Sequence, residues 1–238
     1  SMANPTVSSV WSANSQAVLC MKNGSNAQAL RILASAINQL QNHLVAIPLH
    51  QIRGDHPINI CFVSESTSGG SVCPAVQSPL ADDFSIFVPM FEWSFVTQPG
   101  QGKIPDGIPG SEIVITACLL YNLGLAHERL GQDTGRDSLF IRALNIYKKA
   151  IRLLMDYGFL RANHSVTFIY LALLTNTIRI QGNYFLQAER AQAVVMLRSA
   201  LDYISPDDLS EGAHTSFYTN LWMIDQFNTM LPAASAAA

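Results

Sequence analysis

Charge is what this chain has least of. Only 13% of its 238 residues are Asp, Glu, Lys or Arg, and the net charge is −3. Without a Lys/Arg stripe there is nothing to release counterions from a polyanion, so nucleic acid is excluded as an expected partner. The densest basic stretch, Tyr147 to Arg152, reads as one solvated helix face. Cysteine is equally sparse. Cys20, Cys61, Cys73 and Cys118 show no C-x-x-C pair and no disulfide framework, which fits a reduced chain with thiols used as small apolar groups. A Cys61–Cys73 bridge stays open, because both lie in one candidate hairpin segment. No run approaches about 18 uninterrupted apolar residues, so no membrane span is expected. No basic segment followed by an apolar run marks a leader. The expectation is a soluble intracellular protein, cytoplasmic or nuclear. Ser1 ahead of Met2 reads as the scar of a cleaved tag, and 232–238 reads as a disordered tail, so targeting signals lie outside what the sequence tests.

Catalytic signatures are missing too. There is no G-x-S-x-G, no H-E-x-x-H and no dinucleotide fingerprint. Ser66 to Ser71 is glycine-rich but has no P-loop lysine. His43, His50 and His56 with Cys61 and Cys73 match no tight metal-ligand spacing. Glu65, Asp82, Asp83 and Glu92 cluster in sequence, yet nothing sets two of them across a cleft. No catalytic residue, metal or cofactor is expected.

What the chain has is apolar residues, 49% of the total, arranged with helical spacing. Val7 to Met21 places Val7, Val10, Trp11, Asn14, Ala17, Val18 and Met21 on one face. Gly24 suits a left-handed helix stop, and Ser25 or Asn26 can cap the helix that follows. That helix carries Ala29, Leu30, Leu33, Ala36, Ile37 and Leu40 on one stripe. Further helices are predicted over Ser111 to Gly131, Ser138 to Gly158, Ser165 to Gly182, Phe185 to Ile204, and about Glu211 to Leu231.

Between the second and third helices the character changes. Most of the eleven prolines and half of the fourteen glycines fall within 47–110. Two runs there, Ile58 to Ser66 and Phe84 to Val96, alternate with period two and are rich in β-branched and aromatic residues. Pro89 marks the second as an edge strand or a bulge. The expectation is a β-hairpin with a long connection, inserted at 47–110 into a single helical domain spanning 1–238.

The helices repeat a grammar. Ala-x-x-x-large-x-x-Ala appears as Ala29, Leu33, Ala36; as Ala143, Tyr147, Ala150; and as Ala193, Leu197, Ala200. The helix before each ends, on this reading, at a glycine: Gly24, Gly131, Gly182. Seven residues earlier stands a small or short residue: Ala17, Gly124, Thr175. This resembles the tetratricopeptide repeat, a hairpin of two helices with W-x-x-L-G-x-x-Y and A-x-x-x-F signatures. Leu120, Leu123, Gly124 and His127, followed by Ala143, Tyr147 and Ala150, come nearest. Gly124 then belongs where two helices approach too closely for a Cβ. The pattern departs from the family in three ways. The expected turns are about seven and six residues longer than the family spacing in the second and third units. The first and second units are separated by the insertion. Only the second unit has both Leu and Gly in its first helix.

The resemblance implies a mainly α fold: about three antiparallel helix hairpins and a C-terminal helix, with the β-hairpin inserted. It also implies a non-catalytic module that binds a protein or peptide in the groove lined by the first helices. The chaperone-tail clamp of some family members is not matched. Asn14 and Val18 stand at its first-unit positions, Ile169 and Leu173 at its third-unit positions, and only Asn122 fits. The expected groove instead carries Trp11, Asn14, Lys22, Tyr121, Asn122, Leu125, Glu128, Arg129, Asn176 and Arg179. Phe91 and Trp93 of the insertion are added as candidate contacts through an exposed strand edge. Two alternatives stand beside this reading: a homo-oligomer completed through the hairpin or last helix, and an enzyme or small-ligand binder with a pocket between hairpin and groove.

Overall fold

A computed structural model describes residues 5–45, 59–63, 90–94, 111–156, 164–184, 186–204, 217–222 and 224. Among these the chain is mainly helical. The elements are α1 (Pro5–Lys22), α2 (Asn26–Val45), β1 (Asn59–Val63), β2 (Met90–Ser94), α3 (Ser111–Thr134), α4 (Asp137–Asp156), α5 (His164–Asn183) and α6 (Gln187–Tyr203). Residues 217–222 are helical again. The described residues fall into two compact units whose boundary lies inside α5, after Leu173.

In the first unit α1 packs on α2, α3 on α4, and α2 on α3. The second helix of each pair is one-sided, as its spacing predicts. On α4 the buried stripe is Leu139, Ala143, Leu144, Tyr147, Ala150, Ile151 and Leu154, the i, i+4, i+7 pattern of a helix with one wet face. On α2 it is Ala29, Leu33, Ala36, Ile37 and Leu40. The first helix α3 differs. Ile113, Val114, Ile115, Ala117, Cys118, Leu119, Tyr121 and Asn122 are all buried, so its first half is covered on most sides, with only Thr116 and Leu120 partly exposed among residues 113–122. Its β-branched run at 113–116 is a weak helix former, and the burial of Ile113, Val114 and Ile115 overrides that preference.

One backbone bond recurs at the three turns. Ser25 N–H donates to Cys20 O while Gly24 N–H donates to Met21 O, and Gly24 has φ +73°. That is a Schellman stop, with glycine at its left-handed position. After α3, Arg136 N–H donates to Gly131 O and Gly135 has φ +63°. After the second-unit half of α5, Leu186 N–H donates to Gln181 O.

This corrects the expected helix ends. Gly131 does not end α3; the left-handed stop is Gly135, four residues on. Nor are the turns long. Only Gly135 and Arg136 separate α3 from α4, and Tyr184 to Leu186 separate α5 from α6. The additional length lies in the helices themselves, 24 residues in α3 and 20 in α4.

Gly131 and Gly124 are glycine for another reason. A Cβ on Gly124 would lie 2.3 Å from Tyr147 Cε1, and one on Gly131 would lie 2.9 Å from Phe140 Cε2. The two notches sit seven residues apart on α3. Their aromatic fillers sit seven residues apart on α4 in the reverse order, as an antiparallel hairpin requires. Each ring enters a gap that a methyl group would close, which lets α3 and α4 approach closely. Tyr121 adds a tilted ring contact to Tyr147, centroids 6.0 Å apart.

β1 and β2 pair antiparallel, Asn59 opposite Ser94 through Val63 opposite Met90. The rest of 47–110, including Cys73 and the connection of the expected hairpin, lies outside the described residues, as does 232–238. Besides β1, the described neighbours of β2 are α1 and α3.

Candidate functional site

The first helices α1 and α3 meet through polar contacts with one constant offset. Asn122 Nδ2 donates to Asn14 Oδ1 at 2.8 Å, and the two residues are 108 apart in sequence. Arg129 Nη1 donates to the Met21 carbonyl at 3.1 Å, again across 108 residues. Both contacts advance by seven residues on each helix. α1 and α3 therefore run parallel, side by side. Near the end of α3, Asn26 Nδ2 donates to Asp133 Oδ2 at 2.8 Å and ties the start of α2 to the same helix. In a parallel pair of helices whose flanks are occupied by α2 and α4, one remaining side is shared by both first helices.

On α3 that side is legible from burial. Thr116, Leu120, Leu123, His127 and Leu130 are its partly exposed residues apart from Arg129 and the exposed last turn. Their spacing of four, three, four and three traces one stripe along the helix. Shifted by the 108-residue offset, the stripe falls on α1 at Ser8, Ser12, Ser15, Leu19 and Lys22. Ser12, Leu19 and Lys22 are exposed there and Ser15 is partly so. Leu19, at 57% exposure, is the conspicuous apolar residue of α1. The shared face is thus apolar toward the C-terminal half of both helices, edged by Lys22, Arg129 and His127. β2 lies against the same two helices.

The expected groove residues divide sharply. Asn14, Tyr121, Asn122 and Glu128 are buried inside the first unit, and Leu125 with them. The Asn122 amide donates to the Asn14 carbonyl oxygen in that buried position. Lys22 is exposed, while Trp11 and Arg129 are partly so. In the second unit Asn176 is buried and Arg179 partly exposed. Phe91 and Trp93 take register positions on β2 opposite Phe62 and Ile60. Sequence reasoning missed Leu19, Leu120, Leu123 and Leu130 as face residues. The signal that could have found them is the inter-helix offset, which is invisible until two helices are laid side by side.

Electrostatics adds two facts. Burial, and then the Arg142 guanidinium on α4, hold the His127 imidazole below its ordinary pKa. His127 is therefore a neutral ring near pH 7, and its Nδ1 is buried with no hydrogen bond. Burial also pushes the Cys118 thiol far up. That removes Cys118 as a nucleophile, since thiolate is the reactive form. Among the described residues no group of three or more His, Cys, Asp or Glu is placed to hold a metal ion. No described helix is long and apolar enough to cross a membrane. Compared with protein-family models, with curated proteins and with solved structures, the chain shows no match.

Proposed function

We propose that this chain is a tetratricopeptide-like array of helix hairpins, a non-catalytic module that binds a protein or peptide on the face shared by its first helices. The observation that carries this reading is the constant 108-residue offset between α1 and α3. Repeated hairpins stacked in parallel create a continuous first-helix face, and such faces serve as extended binding surfaces. The recurring backbone bond at the turns supports the same reading for α5 and α6. Gly131 and Gln181 occupy one place in it, Arg136 and Leu186 another, both pairs fifty residues apart. Arg179 then stands where Arg129 does, one unit later. Within the first unit, Lys22 and Arg129 remain the polar contacts this reading carries forward from the expected set. Leu19, Leu120 and Leu123 supply the apolar area.

The reading is tested by placing a photo-crosslinking residue at Leu19, at Leu123, or at Asn38 on the exposed side of α2. The same protein or peptide should be captured from Leu19 and Leu123 and not from Asn38. Adducts formed only between copies of the chain would replace this reading with self-assembly. Equal capture from all three positions would leave no privileged face.

A further inference from the structure

The face assigned above already has a neighbour from its own chain. β2 lies against α1 and against α3, the first helices of two successive hairpins, the two helices whose shared side is read above as the binding face. Its other attachment is a five-residue antiparallel ladder to β1, from Asn59↔Ser94 to Val63↔Met90. A two-stranded ladder that short is marginal by itself in water. The helix face must therefore supply much of what keeps β2 in place. Composition agrees. Met90, Phe91 and Trp93 give β2 large apolar residues for an extended segment, and Glu92 gives it one acid. Pro89, just before it, has no N–H with which to prolong the ladder.

We propose that β2 is a built-in occupant of the first-helix face, and that the partner is an extended, aromatic-rich peptide segment of similar pattern that displaces it. The inference rests on the reading of that face as the binding surface. In the resting chain β2 covers part of the seam and leaves Leu19 exposed. A partner strand takes over both the ladder with β1 and the contact with α1 and α3, the strand-addition mode of recognition. Because β2 is tethered, it acts at an effective concentration on the order of millimolar. A free peptide of ordinary affinity is then excluded until β2 is weakened. Five residues of ladder make β2 the part of the first unit that can leave without dismantling α1 to α4.

The test uses the full chain with Phe91→Pro and Glu92→Pro together. Consecutive strand residues alternate the direction of their N–H groups, so one of the two prolines removes a ladder donor whichever way β2 faces. A fluorescent synthetic peptide of residues 86–98 is titrated into this variant and into the unchanged chain, with anisotropy as the readout. The variant should keep its helical circular dichroism and bind the peptide at least tenfold more tightly than the unchanged chain does. The same peptide carrying the two prolines should bind neither. A variant with intact helicity that ignores the peptide overturns the proposal. So does a variant whose helices melt, because β2 is then a structural strand rather than a removable occupant. Crosslinking from Leu19 tests the face separately. Capture of a partner there without binding of the peptide keeps the face and removes β2 as its occupant.

Discussion

A single hydrogen decides several positions in this chain. Gly124 sits under the ring of Tyr147, so Gly124→Ala gains about 1 kcal/mol of helix propensity and loses more to overpacking, typically 1–3 kcal/mol. Urea unfolding should show net destabilisation, and Tyr147→Leu made alongside should recover part of it. Additive losses in that double-mutant cycle would deny the notch. Gly135→Ala has no steric neighbour within 4 Å. It should cost only the left-handed backbone, about 1–2 kcal/mol, with Asn tolerated better than Ala. The cysteines should separate in a thiol-labelling experiment. Partly exposed Cys20 should react in the folded chain and Cys118 only on unfolding. His127 binds its proton less tightly folded than unfolded. Its contribution to stability is thus complete above its unfolded pKa of about 6.5 and is lost as pH falls below it. Melting temperatures between pH 7 and pH 5 should therefore fall more steeply for the natural chain than for His127→Gln; equal slopes would assign the pH dependence to other groups.

At the scale of the element, most helices were legible because burial is written in their spacing. The stripe on α4 and the Ala-x-x-x-large-x-x-Ala pattern of the second helices needed no structure. The Gly24 stop was legible for the same local reason. Gly131 was misread because glycine answers two different demands. A left-handed turn and a missing Cβ both select it, and only the position of Phe140 separates them. Asn14 and Asn122, expected to line the groove, are buried for a reason of scale. A polar residue on a helix suggests water, but an amide can bond another 108 residues away once their helices lie parallel. That pair acts between elements. Asn122→Leu should destabilise by about 1–3 kcal/mol, because it removes the donor that Asn14 Oδ1 accepts in a buried site. Asn14→Leu with Asn122→Leu should cost less than the sum of the single changes, and the double variant should show broader amide spectra if the pair fixes register. A double variant as costly as that sum, with well-dispersed spectra, would remove the register role.

For the molecule as a whole, the proposed function rests on arrangement rather than on any one reactive group. Two hairpins are stacked in parallel, and a short strand lies against both of their first helices. Whether α1 and α3 really run parallel in a common register is therefore the claim on which the rest depends. It can be measured with pairs of spin labels in a chain cleared of its native cysteines. Labels at Ser12 with Leu120, and at Leu19 with His127, mark equal levels on the two helices. Labels at Ser12 with His127, and at Leu19 with Leu120, mark levels seven residues apart, roughly 10 Å along the axis. The account predicts that the two level pairs give matching short distances and that both crossed pairs are longer. Crossed pairs shorter than level pairs would mean antiparallel first helices, and the shared binding face would be lost with them.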